Sequence, residues 1–175
     1  MKIIKTITES DFGRELGSDH QQNYTIRRAA RAVLLNKDSR IALMHVSSDS
    51  YYKLPGGGID EGESINNALK RELLEEVGAG EIDVISELGR VDSYLDQLHT
   101  KSEHVCFVVK TLKPPVEPSR TEKEIAEGYE TVWVDNIDEA IKLVESGTPS
   151  QYGHDFERLR ELTFLEYYKS SKLVH

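Results

Sequence analysis

Residues 54–79 read LPGGGIDEGESINNALKRELLEEVGA. A proline and three glycines open the stretch, and a helical repeat closes it. Ile65, Leu69, Leu73 and Val77 recur at i, i+4 spacing, which predicts a helix over 64–77 with one apolar face. Ser64 suits its N-cap and Gly78 its C-terminal stop. Glu72, Glu75 and Glu76 stand at i, i+3 and i+4, so at ~100° per residue they share one face. Like charges so placed weaken an isolated helix by a few tenths of a kcal/mol per pair. From Asp60 to Glu76 there are six acids against two bases. That excess calls either for full solvation or for a counter-charge, and clustered hard oxygens suit Mg²⁺ or Mn²⁺ rather than zinc. The glycines upstream permit a close backbone approach, offering carbonyls to a metal or amides to a phosphate.

Outward from this stretch the chain alternates strands and helices. Upstream, residues 24–35 (YTIRRAARAVLL) and 41–46 (IALMHV) predict two strands of a hairpin about the NKDSR turn, with a short strand at 51–53. Residues 1–23 are a lead-in whose Ile3, Ile4 and Ile7 suit a short edge strand. Downstream, 81–91 predicts a strand, and 104–112 (HVCFVVKTL) a central strand buried on both faces. Residues 113–124 predict a Pro-rich loop, 131–135 a strand, and 136–146 and 155–171 two helices. No repeat or interdomain linker interrupts them. The expectation is one domain over 1–175, with 1–23 as lead-in and a C-terminal helix within 150–175.

The chain has 175 residues, and 22 Lys+Arg against 31 Asp+Glu leave a net charge of −9. At ~150 residues per domain that length implies one domain, and one able to fold without a disulfide or metal staple. A hydrophobic share of 38% with 30% charged residues is that of a globular protein, neither disordered nor fibrous. The acidic balance argues against a general nucleic-acid binder. No apolar run nears the ~18 residues of a membrane span, and the N-terminus lacks the pattern of a secretory signal. One cysteine, Cys106, excludes an intrachain disulfide framework and a Cys-rich zinc site. A cytoplasmic setting without membrane contact is expected.

The run Gly57-x5-Glu63-x7-Arg71-Glu72-Leu73-x-Glu75-Glu76-x-Gly78-Ala79 resembles the Nudix box of MutT-like pyrophosphohydrolases. All seven fixed Gly, Glu and Arg positions are present, an agreement of order 10⁻⁸ by chance at one start at ordinary residue abundances. Ala79 departs from the pattern, standing where a larger aliphatic side chain is usual. The box spans 57–79, and looser features extend the resemblance to about 24–146. It implies an α/β (α+β) fold, an α/β/α sandwich around a mixed sheet. It also implies a hydrolase that cuts within a nucleoside diphosphate linked to another group.

Carried onto these positions, the resemblance makes Glu72, Glu75 and Glu76 ligands of a divalent cation, Mg²⁺ or alternatively Mn²⁺, with a backbone carbonyl at Gly57 as a further ligand. Glu63 and Arg71 support them. The general base is a box glutamate or one of Glu122, Glu124, Glu127 and Glu130, of which Glu124 is preferred. Arg27 and Arg31 share a face by period-2 alternation. With Lys53 and Gly58 they are the candidates to meet substrate phosphates, the alternative being surface charge. Tyr52 suits either a stacked base or a half-buried strand position. Cys106 reads as a core thiol, His104 as a strand histidine with a local partner, and Trp133 as core. Phe164, Tyr167 and Tyr168 pack on the domain or on a second copy in a homodimer. The expected partner is a small nucleotide, with no nucleic acid. An RNA 5′-end hydrolase and a nucleotide sensor without turnover are the competing readings. No proline between Gly78 and Pro114 marks the ADP-ribose pattern, and Tyr94 in that region does not by its offset assign another.

Overall fold

Residues 104–109 are apolar at every position but the first, and a strand of that kind needs neighbours on both edges and cover on both faces. The computed structural model, which describes residues 1–148 and 150–171, supplies both. Among those residues lie strands β1 Ile3–Ile7, β2 Thr25–Leu35, β3 Ile41–Val46, β4 Tyr51–Lys53, β5 Ile82–Leu95, β6 Thr100–Thr111 and β7 Tyr129–Val134. The helices are α1 Ile65–Val77, α2 Glu122–Ala126, α3 Ile137–Ser146 and α4 His154–Ser170. One mixed sheet runs β1-β5-β6-β2-β3-β4, with β7 on the other edge of β3. β6 is antiparallel to β5 and parallel to β2, and β1 joins β5 in parallel.

Period-2 alternation sorts the side chains into two cores. Ala30, Ala32 and Leu34 of β2 and Val105, Phe107 and Val109 of β6 pack beneath Leu69, Leu73 and Val77 of α1. On the opposite face, Val33, Cys106 and Val108 pack with Ala140 and Val144 of α3 and Phe156, Phe164 and Tyr168 of α4. This is the expected α/β/α sandwich. Ser64 caps α1 by accepting a hydrogen bond from the Asn67 amide, and Gly78 ends it in the left-handed region. Ala79 is 2% exposed, so the smaller side chain still fills a packed position. The edge strand expected near Ile3 is β1, and its Ile7 is fully buried.

Beyond shifts of one or two residues at element ends, the structure departs from expectation in three places. β5 continues to Leu95 and β6 starts at Thr100, because Leu95 pairs with Thr100 across a tight turn. The Pro-rich loop ends in a turn of helix, α2, capped by Thr121. The β2–β3 hairpin is paired only at Leu35 and Ile41, since another segment claims the edge of β2. The Ala30 amide donates to the Gly57 carbonyl and the Ala32 amide to that of Pro55, each at 3.0 Å. The glycine-rich loop is thus wedged where β2 and β3 diverge. The part of the 150–175 helix beyond Ser171 lies outside the described residues.

Candidate active site

Gly56, at φ +125, shows why this loop needs glycine: a Cβ there would run into the Ala30 carbonyl. Fixed in this way, the loop presents its amides and carbonyls to α1. The Gly56 amide donates to Glu76 Oε2 at 2.6 Å. A Cβ on Gly57 would collide with the Glu72 carboxylate, while Gly58 has open space around it. The loop and the acidic face of α1 therefore close on one another at two successive residues.

Arg71 ties the box together. Its guanidinium donates to Glu63 at 3.1 and 2.9 Å, to Glu72 at 2.7 Å and to the Gly58 carbonyl at 2.9 Å. Those bonds, the Glu63 pair foremost, raise the Arg71 pKa, and the same pair lowers that of Glu63. Arg71 thereby joins Glu63, Glu72 and the glycine loop in one network. Glu75 is more open, its side chain 36% exposed and 3.4 Å from Arg71.

Glu76 is only 2% exposed. Burial pushes its pKa up, opposed by Lys53, Arg31 and the Gly56 amide. Lys53 reaches Glu76 at 3.8 Å and donates to the Tyr129 hydroxyl at 3.0 Å, rather than meeting the loop itself. Arg31 donates to the Leu54 and Gly56 carbonyls. Burial pulls its pKa down, but Glu161, Glu157, Glu76 and Glu72 outweigh that and hold it charged.

These groups border a cleft of about 440 Å³ whose lining includes Arg27, Arg31, Lys53, Gly57, Gly58, Glu72, Glu76 and Glu124. Glu75 does not line it. Nor does Arg28, which pairs with Glu103 at 3.2 Å. A larger hollow of about 620 Å³, lined by Ile26, Arg28, Ile59 and Arg90 among others, contains none of the three α1 carboxylates. The smaller cleft is the one that brings Glu72 and Glu76 together with the glycine loop. Glu124 borders it, but its carboxylate accepts from the Thr121 amide at 2.7 Å and hydroxyl at 2.9 Å, completing the cap of α2. Glu127 also borders the cleft; Glu122 and Glu130 do not.

Of β4, sequence reasoning reached Lys53 but not Tyr51, and it missed Asp49 in the turn before that strand and His154 and Glu157 of α4, all of which line the cleft. Burial raises the Glu157 pKa, yet Arg160, Lys53, Arg31 and His154 together pull it down to about 2. Hydrogen bonds from Ser150 and His154 hold the Asp49 carboxyl below its usual range, against burial. No local motif marks these residues. Elsewhere, His104 is buried with its Nε2 3.2 Å from Arg160, and burial together with Arg160 keeps it well below its ordinary pKa. Cys106 is fully buried, which pushes its thiol up. Phe164 and Tyr168 are buried in the α4 core, Trp133 packs partly buried on the α1 core, and Tyr52 stacks on His45.

The carboxylates and the loop carbonyl form an all-oxygen set, the chemistry that suits a hard divalent cation. The missing Cβ at Gly57 leaves its backbone against Glu72, so the residues fit such an ion. Among the described residues no three His, Cys, Asp or Glu side chains already converge as a metal cluster.

Sandwich, wedged glycine loop and acidic helix define a protein with a carboxylate-and-cation cleft at the split of a mixed sheet. The NUDIX domain family matches residues 25–152, and the chain belongs to that family. Its curated relatives include an RNA pyrophosphohydrolase of Wolbachia pipientis subsp. Culex pipiens, 46% identical over 56 residues, covering 31% of this chain and 35% of that protein. Another is an RNA pyrophosphohydrolase of Campylobacter jejuni, 50% identical over 46 residues, covering 26% and 30%. The chain thus spans about a third of the length of the curated relatives it matches. Among solved structures, the MutT protein from Methanosarcina mazei Go1 superposes with a TM-score of 0.57 at 19% identity, covering 87% of this chain and 99% of that one. An ADP-ribose pyrophosphatase from Streptococcus suis gives 0.52 at 18% identity, covering 85% and 95%. At these identities the likeness is one of fold. Among the described residues no helix is long and apolar enough to cross a membrane.

Proposed function

We propose that this chain is a divalent-metal-dependent pyrophosphohydrolase that cleaves a phosphoanhydride within a nucleoside diphosphate bearing a second group. The observation that carries this reading is the meeting, in one cleft, of Glu72 and Glu76 with Arg27, Arg31 and Lys53. The carboxylates suit a cation and the cations suit phosphates. Hydrolases of this family generally use a divalent metal. Glu72, Glu75, Glu76 and the Gly57 carbonyl would hold Mg²⁺, or Mn²⁺ in its place. Such an ion neutralises phosphate charge and activates water. The chain's own part is to orient Glu72 through Arg71, to receive phosphates on Arg27, Arg31 and Lys53, and to bring the Gly58 backbone alongside them.

We read residues 1–175 as one domain, since β1 completes the sheet and α4 covers a face of it. A cytosolic setting accords with the buried, unpaired Cys106. The preferred substrate class is a small nucleotide. The local likeness to RNA pyrophosphohydrolases supports a second reading, a triphosphorylated RNA 5′-end, against which stands the net charge of −9.

The test is release of phosphate or pyrophosphate with Mg²⁺ from a panel of nucleoside triphosphates, nucleotide sugars, ADP-ribose, dinucleoside polyphosphates and a 5′-triphosphorylated oligoribonucleotide. Glu76→Gln serves as control. Turnover of one class that disappears in the variant is expected, and preference for the oligoribonucleotide would replace the small-nucleotide reading. Silence across the panel with Mg²⁺ bound would replace the enzyme with a sensor.

A further inference from the structure

Hydrolysis of a phosphoanhydride needs an acceptor for the proton of the attacking water. The carboxylates bordering the cleft are largely committed to other partners. Glu72 is held by Arg71, Glu76 by the Gly56 amide and Glu124 by Thr121. Glu127 pairs with Lys123 at 3.7 Å, and Glu157 accepts from the Tyr51 hydroxyl at 3.2 Å.

His154, the first residue of α4, is placed differently. Its side chain is 25% exposed and borders both the cleft and an adjoining hollow of about 280 Å³. Nδ1 lies 2.5 Å from Asp49 Oδ2. Asp49 is itself 7% exposed, and its other oxygen accepts from the Ser150 hydroxyl at 2.6 Å and amide at 3.2 Å. The imidazole also packs on the Tyr51 ring, centroids 4.8 Å apart at 31°. A carboxylate at Nδ1 fixes the tautomer: Nδ1 carries the hydrogen and Nε2 keeps the lone pair. Among the described residues no hydrogen bond or ion pair uses Nε2. The ring is thus held at Nδ1 and along one face, and carries a free lone pair at Nε2 beside the cleft. The charged groups around the imidazole are Asp49 and Glu157 on one side of the balance and Lys53, Arg27, Arg31 and Arg160 on the other. Tyr51 stays neutral, its hydroxyl pushed up by burial and Glu157.

We infer that His154, oriented by Asp49, is the proton acceptor for the water that attacks the substrate. The inference rests on the hydrolase reading above. As the water oxygen bonds to phosphorus, its proton passes to Nε2. The bridging P–O bond breaks with its electron pair on the departing phosphate, and the imidazolium returns the proton to that phosphate or to solvent. Asp49 acts through His154 and is a positioning residue.

The experiment compares kcat against pH for the wild-type protein, His154→Gln, Asp49→Asn and Glu76→Gln, on the substrate found in the panel. His154→Gln is expected to lower kcat ~10²–10⁴-fold with KM within about threefold, and to lose the acidic limb of the profile. Asp49→Asn is expected to fall in between. His154→Gly should regain activity in proportion to added neutral imidazole, which a residue of merely structural role would not allow. Independently of turnover, nitrogen-15 spectra should report the Nδ1–H tautomer in the wild type and its loss in Asp49→Asn. Full kcat in His154→Gln beside a silent Glu76→Gln overturns the role of His154 and leaves the hydrolase intact. Failure of imidazole rescue, or the opposite tautomer, likewise overturns it. Silence of the wild type overturns both.

Discussion

Gly57 and Gly58 are adjacent in one loop, yet their surroundings oppose each other. A methyl on Gly57 must displace the Glu72 carboxylate, whereas one on Gly58 meets nothing within 4 Å. Gly57→Ala is therefore expected to weaken Mg²⁺ binding and turnover by at least tenfold. Gly58→Ala should stay within ~0.5 kcal/mol of wild-type stability and keep its metal affinity; isothermal titration and thermal melts on the pair check this. Arg71 makes the same point for charge. Its fork meets Glu63, Glu72 and the Gly58 carbonyl at once, a pattern an ammonium cannot copy. Arg71→Lys should cost ~10–100-fold in metal affinity, as loss of an orienting partner does. Stability should change little, because the Arg71 side chain is 31% exposed. Metal titration alongside urea unfolding separates the two effects.

At the scale of elements, α4 does more than cover the sheet. It delivers Glu157 into a ring of cations that hold its carboxyl near a pKa of about 2. The sign follows from linkage. The unfolded carboxyl titrates near 4.5, so the native preference for the ionised form is fully present above that pH and is lost as pH falls toward 2. A shift of this size corresponds to about 3 kcal/mol. Glu157→Gln is expected to lower stability by about that amount at pH 7, with the difference from wild type vanishing near pH 2. Urea unfolding as a function of pH measures it. Helix α1 carries the converse arrangement. Its buried Glu76 has a raised pKa, so the fold tolerates a poorly solvated carboxylate at the place where the proposed chemistry needs one.

Across the whole molecule, the lead-in is structural. Ile7 is fully buried between β5 and the α4 layer, and the Tyr152 hydroxyl and Arg14 both engage the buried Glu9. Ile7→Ala should cost ~2–5 kcal/mol in chemical unfolding while leaving KM unchanged, since Ile7 does not line the cleft. The strands, helices and both cores were legible because apolar period is a local property, and burial selects for it wherever a face is covered. The box was legible for a related reason. Residues at i, i+3 and i+4 share a helical face whatever the rest of the chain does, so Glu72, Glu75 and Glu76 needed only a helix to stand together. Arg27 and Arg31 likewise needed only a strand to share a face. The wedge of 55–58 against β2 was not legible, because it depends on β3 diverging from its hairpin partner. That the carboxylate of Glu124, preferred as general base, also completes the cap of α2 was not legible, because the helix at the end of the Pro-rich loop was not foreseen. His154 and Asp49 are 105 residues apart and meet only because α4 crosses the sheet over the end of β4. Thus the sequence by itself determined the elements and the acidic face, whose geometry is carried by local backbone periodicity. The tertiary structure alone decided which cations, which histidine and which loop close around that face, because strand order and helix placement bring together residues that no local spacing relates.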